Sequence, residues 1–461
     1  MVGRPQTHLA MLEPPVRQLC AYAVLALFVV FFFSSALSYH FDDTVRSFAR
    51  FPDFSQYRLV QTLSPDQFPL DHPTRRVIIV GDIHGSYDPL NKLLDKVSYT
   101  PSSDLLIHVG DILTKGSHNG SMDTLAFMAT HNITGVRGNH DQKVIEWRAW
   151  LDWIRTQPGA PRWLEHTQAK WATHDATSLS AWLKAEQRKH KEDKKWWNKI
   201  PAGWTLFGDH FLVAQQMSEK QYAYLRALPL AIHVPSAHVF VVHAGLLPSD
   251  PRYKHTHPRQ PLAHVPRLPK SNSVRANESE STQALRTLQE QAVLSEVPQN
   301  TVPFNVLNLR SILHNKVTKG STGKPWSKAW KHDMLRCAGF DKHSLATTKP
   351  TRELLPCYPA TVVYGHAASR GLDVKRWSIG LDSGCVYNRR LTALVLGPDE
   401  GANTNDFLAQ RSDEDDDDDR EDKEEHGDPD KDADDVEGTR NQNKVRFGDA
   451  YHGRLVDVSC S

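Results

Sequence analysis

The sequence predicts an α/β fold in which short buried strands alternate with helices, and three observations carry that prediction. Residues 77–85, VIIVGDIHG, run four apolar residues straight into Gly-Asp-Ile-His-Gly. An apolar run without polar alternation reads as a strand covered on both faces. Residues 105–110, LLIHVG, repeat the pattern and again lead into Gly-Asp. Between the two, Leu90, Leu93, Leu94 and Val97 recur at helical spacing over 88–97. A short helix over 122–130 and a third strand over 133–138, ending in Gly-Asn-His-Asp, extend this to β-α-β-α-β. Right-handed parallel crossovers are the expected connections.

The flanking segments follow in order. Residues 19–37 carry no charge, about the length needed to cross a ~30 Å hydrocarbon layer as a helix. Two readings fit. One is a transmembrane signal anchor over 19–38, with 1–18 cytosolic and 39–75 a stalk. The other is a cleaved signal peptide with Ala36-Leu37-Ser38 as its site. The run is long and dense in Phe, which favours the anchor. Sequons at Asn119, Asn132 and Asn277 fit a lumenal body. Residues 145–224 read as mostly helical and rich in Trp. Their basic stretch 184–199 is either a solvated helix face or a rim that draws in polyanions. Residues 238–243 make a fourth strand, 249–300 a loop insertion rich in Pro, Ser, Glu and His, and 361–364 a fifth strand. Residues 377–381 and 391–396 finish the apolar pattern. An acidic, disordered insertion over 398–446 and a C-terminal strand over 447–461 complete the chain.

The formal net charge of +1 conceals two opposed parts. Residues 412–437 hold 17 acidic and 3 basic side chains, which leaves 37 acidic and 52 basic elsewhere, about +15. A basic body suits polyanionic ligands, and a dispersed basic surface accounts for the composition as well. Cysteines are few. Cys20 lies in the apolar run, and no CxxC occurs, which disfavours a thiolate zinc site. In a lumenal body, Cys337, Cys357, Cys385 and Cys460 allow three pairings, of which Cys337 with Cys357 and Cys385 with Cys460 is favoured.

Each of five strands ends in a candidate ligand: Asp82 and His84, Asp111, Asn139 and His140, His243, and His366. Among 24 histidines a single one means little; their recurrence at strand ends carries the weight, because open α/β sheets place sites at the carboxyl ends of their strands. Carboxylate, imidazole and amide oxygen together suit Zn²⁺, Mn²⁺ or Fe.

The blocks GDIHG, GDILTKG, RGNHD, HAG and YGH, in that order over 76–397, resemble those of the calcineurin-like metallophosphoesterases, in their phosphoprotein-phosphatase branch. GLDSGCVYNRRLTALVL at 380–396 is similar to the diadenosine-tetraphosphatase-like subgroup, and with the anchor the chain looks most like the fungal vacuolar zinc-dependent endopolyphosphatases. The resemblance implies an α/β sandwich of two mixed sheets flanked by helices. It implies two divalent metals, zinc first, with manganese, cobalt or iron as alternatives. Asp82 and His84 would bind the first, Asp111 would bridge, and Asn139, His243 and His366 would complete the second. A bridging hydroxide would attack phosphorus in line, and His140 would protonate the leaving oxygen. Arg310 matches a phosphate-contacting Arg of the subgroup, and Arg137 and Lys115 are further candidates for substrate contact.

One block departs from the pattern. Thr114-Lys115 stands where the Ser/Thr phosphatases have Asp-Arg. Thr114 cannot supply the carboxylate that orients the acid, and Lys115 lacks a bidentate fork. The expected activity is therefore hydrolysis of phosphoanhydride bonds in inorganic polyphosphate, at a vacuole membrane with the body lumenal. The alternatives are a dinucleoside polyphosphatase, a serine/threonine protein phosphatase, or an inactive scaffold. Nucleic acid is not an expected partner.

Overall fold

The computed structural model describes residues 51–174, 178–189, 192–268, 278–341, 353–398 and 443–461. The expected segments 1–18 and 19–38, Asn277 and nearly all of the acidic insertion lie outside the described residues. Among those described, no helix is long and apolar enough to cross a membrane. Asn119 and Asn132 are exposed.

In chain order the elements are β1 (Arg58–Thr62), β2 (Arg76–Val80), α1 (Tyr87–Lys96), β3 (Asp104–His108), α2 (His118–Thr130), β4 (Thr134–Gly135) and α3 (Asn139–Arg155). Next come α4 (Ala160–Ala172), α5 (Leu179–Lys189), α6 (Lys194–Trp197), α7 (Asp209–Gln216), α8 (Glu219–Ala227), β5 (Pro229–Val234), β6 (Val239–Val242), α9 (Glu278–Glu296) and α10 (Pro303–Asn308). The rest are β7 (Ser311–Leu313), β8 (Lys316–Thr318), β9 (Lys324–Pro325), α11 (Trp326–Met334), β10 (Thr361–Tyr364), β11 (Asp373–Lys375), β12 (Ser378–Gly380), β13 (Arg390–Leu396), β14 (Lys444–Phe447) and β15 (Tyr451–Ser459).

Two compact units result, 51–54 with 149–206 and 55–148 with 207–461. The smaller is built on tryptophan. Trp163 packs edge-on against Trp197 at 5.3 Å, and Trp150 Nε1 donates to the Lys199 carbonyl at 2.8 Å. The basic stretch 184–199 is thus half interior: Trp196 and Trp197 are buried, while Lys189 pairs with Glu186.

The larger unit holds two six-stranded mixed sheets, β1-β5-β6-β10-β12-β11 and β14-β15-β13-β2-β3-β4. Val77 and Ile79 of β2, Val239 and Val241 of β6, Val363 of β10 and Leu394 of β13 fill the layer between them. Alternate residues of β6, Phe240 and Val242, face Trp326 and Trp330 of α11 and Val293 of α9. Strand side chains alternate between faces, so a strand covered on both sides must be apolar throughout. Each fully buried Val or Ile contributes roughly 1.5–3 kcal/mol, and this layer fixes where the strands end.

Three expected segments come out differently. The stalk over 39–75 contains β1, which pairs in parallel with β5. Its exposed side chains, pattern eeeie, gave no apolar signal. The loop insertion over 249–300 contains the 19-residue helix α9. Its buried positions include Arg286, Gln289 and Glu290, so helical spacing was present in polar residues rather than apolar ones. The end of the acidic insertion, from Lys444, is strand β14.

Both expected disulfides form, Cys337–Cys357 and Cys385–Cys460. α9 is held by a buried polar clamp: His233 Nε2 and His238 Nδ1 each donate to Glu290 at 2.7 Å. Burial alone would raise the Glu290 carboxyl, but the two imidazole bonds win and hold it below its usual 4.5. A depressed folded value means stability that is fully present above the unfolded value and lost as pH falls through the folded one. Glu290→Gln should therefore flatten the loss of thermal stability as pH falls below 4.5, relative to wild type; parallel melting curves over that range would refute the clamp's role.

Candidate metal centre

The parallel strands β2, β3 and β4 of one sheet and β6, β10 and β12 of the other each lead, within a few residues, into a polar side chain. These side chains converge on one crevice. The turns that aim them hold non-glycine residues at positive φ: His84 (50°), Asp111 (50°), Thr114 (69°), Lys115 (62°) and His366 (68°). Such conformations cost on the order of 1–3 kcal/mol each and collect at functional sites. The backbone N–H groups of Ile83 and His84 donate to the Asp111 carbonyl at 3.2 and 2.8 Å, and that of His366 donates to both Asp82 carboxylate oxygens at 3.1 and 3.0 Å. Asp141 ties the first turn of α3 to β3 by accepting from Gly138 N at 2.9 Å and Ile112 N at 3.1 Å.

Two trios share Asp111. Asp82, His84 and Asp111 form one, and Asp111, His243 and His366 the other, with ligand atoms in each within 4.8 Å of one another. Asp111 Oδ2 lies 3.6 Å from His84 Nε2 and 3.3 Å from His243 Nε2. His243 Nε2 also faces His366 Nδ1 at 3.1 Å and Asn139 Oδ1 at 3.0 Å. The Val109 carbonyl accepts from His243 Nδ1 at 2.9 Å, which turns the Nε2 lone pair inward, and His366 Nε2 is buried without a hydrogen-bond partner.

The charges demand a counterion. Burial, reinforced by Asp382 and Asp111, pushes the Asp82 carboxyl well above its usual 3.8, and burial raises Asp382 as well. Asp111 goes the other way. Burial would raise it, but His243, His140 and His84 together hold it well below 3.8. Burial lowers His84 and His366, leaving their lone pairs free near neutral pH. Three buried carboxylates facing the lone pairs of His84 and His366 fit two divalent cations, with Asp111 between them.

Close approach leaves no room behind these ligands. A Cβ on Gly365 would overlap Asp82 Oδ1, and one on Gly138 would overlap Asp111. Gly365→Ala is expected to weaken metal uptake by roughly 10–100-fold, as displaced ligand supports do; an unchanged titration with Zn²⁺ would remove Asp82 from the ligand set.

Above the trios an open cavity of about 260 Å³ is lined by Lys115, His140, Arg310, Asp382, Tyr387 and Arg389, among others. Arg310 is fixed by a 3.0 Å bond from its guanidinium to the His366 carbonyl, and Arg389 by a 2.7 Å bond to the Ala368 carbonyl. Arg137 is a correction. It does not line the cavity, because its guanidinium is buried and bound to Gln142 Oε1 at 2.9 Å and the Arg226 carbonyl at 2.6 Å. Sequence reading also missed three groups. Asp382 follows the short strand β12 by the same strand-end pattern, in Gly-Leu-Asp, and that signal was there to be read. Tyr387 and Arg389 sit in the turn after it and had no such mark.

Residues 75–290 match the calcineurin-like phosphoesterase family. The match covers a little under half of the chain. It contains Asp82, His84, Asp111, Asn139, His140 and His243, while Arg310, His366 and Asp382 follow it. The chain is 41% identical over 75 residues to serine/threonine-protein phosphatase 1 of Salmonella typhimurium, covering 16% of this chain and 34% of that protein. It is 33% identical over 133 residues to the symmetrical bis(5'-nucleosyl)-tetraphosphatase of Pseudomonas putida, covering 28% and 43%. The chain thus spans less than half the length of these curated relatives. A solved structure of a candidate diadenosine tetraphosphatase is 24% identical, covering 74% of this chain and 94% of that one, with a TM-score of 0.39.

Proposed function

We propose that the chain is a dimetal phosphohydrolase that cleaves the phosphoanhydride bonds of inorganic polyphosphate. The observation that carries this reading is two ligand trios joined at Asp111, beneath a cavity edged by three cations from separate segments, Lys115, Arg310 and Arg389. Two divalent cations held there would supply Lewis acidity toward a phosphoryl oxygen and lower the pKa of bound water from 15.7 toward ~7.

The protein's own groups do the rest. Asp82, His84 and Asp111 would hold one cation, and Asp111, Asn139, His243 and His366 the other. Arg310 would grip non-transferred oxygens, its orientation preset by the His366 carbonyl. Lys115 and Arg389 would neutralise neighbouring phosphoryl units, which suits a repeating polyanion better than a single phosphomonoester. His140 would give the leaving oxygen its proton. Burial holds His140 down to about 3 against the pull of Asp111, so this donor needs support at neutral pH. A phosphoanhydride tolerates a weak acid, because its leaving group is already good.

Lumenal placement, anchored through 19–38 at a vacuole membrane, belongs to the same proposal. Two disulfides and two exposed sequons support an oxidising, glycosylating compartment. A second reading, a dinucleoside polyphosphatase, draws support from Tyr387, a residue 58% exposed at the cavity rim where a base could stack. The test is the full chain with long-chain polyphosphate, diadenosine tetraphosphate and a phosphopeptide, each with Zn²⁺, Mn²⁺ and Co²⁺. Shortening of polyphosphate at the highest kcat/KM supports the proposal; chains that stay full length with every metal end it.

A further inference from the structure

Thr114 offers only a hydroxyl, 3.2 Å from His140 Nδ1. A carboxylate nonetheless reaches His140 at one remove. His140 Nδ1 lies 2.9 Å from His210 Nε2, the two ring planes are 20° apart, and His210 Nδ1 lies 2.7 Å from Asp209 Oδ1. Asp209 is itself anchored, its Oδ2 accepting the Lys115 N–H at 3.0 Å and its Oδ1 the His210 N–H at 2.8 Å. Both residues open helix α7, and they touch the loop that carries Thr114-Lys115.

Donor and acceptor accounting sets the protons along this line. An ionised Asp209 only accepts, and the His210 bond holds its carboxyl well below the usual range. His210 Nδ1 therefore carries a proton toward Asp209, and neutral His210 presents a lone pair at Nε2. His140 Nδ1–H donates into that lone pair, so Nε2 is the nitrogen left for the cavity.

We propose that His210 and Asp209 are positioning residues, which lock His140 in the Nδ1–H form and stand in for the carboxylate that Thr114 cannot provide. This rests on the phosphohydrolase reading of the site. In the step served, an attacking hydroxide oxygen bonds to phosphorus while the P–O bond to the leaving group breaks, and that bond's electron pair goes to the leaving oxygen. That oxygen takes the Nε2 proton of the His140 imidazolium. His140 is left neutral with its Nδ1–H still bonded to His210. A carboxylate–imidazole pair that orients a proton-transferring histidine is a recurring device in acyl transfer; here a second imidazole is interposed.

The test is a series of aryl phosphates of rising leaving-group pKa, from p-nitrophenyl to phenyl phosphate, with the metal-loaded full chain. His210→Phe and Asp209→Asn should lose kcat progressively along the series, by on the order of 10²-fold at phenyl phosphate, the lower end of what acid–base catalysis supplies. KM should move little. His210→Gln, whose amide oxygen can accept the Nδ1–H, should recover most of the loss. Equal loss at every leaving group, or none at any, overturns the proposal. A second readout does not depend on turnover. In ¹⁵N–¹H spectra of the Zn²⁺-loaded chain with labelled histidine rings, His140, assigned through His140→Gln, should show the Nδ1–H tautomer, and His210→Phe should shift it toward the other. An Nε2–H tautomer in wild type overturns the proposal. If wild type cleaves neither aryl phosphates nor polyphosphate with Zn²⁺, Mn²⁺ or Co²⁺, the reading of the site fails, and the tautomer spectrum alone decides the positioning role.

Discussion

Asp111→Asn is expected to lower turnover by about three orders of magnitude or more while leaving the chain folded. Three orders correspond to roughly 4 kcal/mol of lost transition-state stabilisation. Asp111 is the one residue common to both trios. An amide keeps the oxygen that accepts the His140 N–H at 2.8 Å, so local structure survives. What it loses is the charge and the second oxygen between the two cation positions. Metal content should fall from two per chain, and Asp82→Asn, which touches one trio only, should lose less metal. Retained turnover in Asp111→Asn would place the chemistry elsewhere.

The same carboxylates give a pH signature in metal-stripped protein. Asp82 and Asp382 are raised above 3.8. A carboxyl raised on folding imposes no penalty below its unfolded value and the full penalty once pH exceeds its folded value. Zinc uptake should therefore release protons, and it should raise Tm more at pH 7 than at pH 4. A Tm gain independent of pH would show that the carboxylates do not repel one another in the empty site.

Loss of the Cys385–Cys460 bond, through Cys385→Ala with Cys460→Ala, is the second large effect. The bond closes a sequence separation of 75, against 20 for Cys337–Cys357. Chain entropy alone then gives about 4 kcal/mol for the first and about 3 kcal/mol for the second. The first also acts on the site. Cys460 N donates to the Arg389 carbonyl at 3.0 Å, and Tyr387 lies in the turn that Cys385 opens. The double variant should melt several degrees lower and, under the proposed function, show a raised KM for polyphosphate, whereas removing Cys337–Cys357 should lower Tm with KM unchanged. Equal KM in both variants would mean that the turn needs no tether.

What the sequence made legible was whatever repeats a local pattern. Apolar runs ending in a ligand located Asp82, His84, Asp111, His243 and His366, because a strand end and its next few residues form one short, self-contained signal. Three kinds of feature escaped. β1 is an exposed edge strand whose backbone pairing leaves no trace in side-chain polarity. α9 buries Arg286, Gln289 and Glu290 against partners supplied by distant segments, so its inner face looked solvated. The contact of His210 with His140 spans 70 residues, and nothing near either one announces it. Arg137 failed for the opposite reason: proximity to Asn139 in sequence suggested substrate contact, and its side chain points into buried packing.

The register of β13, β15 and β14 has one more consequence. Leu396 of β13 and Val445 of β14 both pair with Gly453 of β15, from its two sides. Two strand spacings, about 10 Å, separate them, and β13 and β14 run in the same direction. A connection between two strands so placed must cross a face of β15, which takes on the order of a dozen residues rather than a tight turn. A version with a crossover of about that length in place of residues 399–442 should fold with β15 in register.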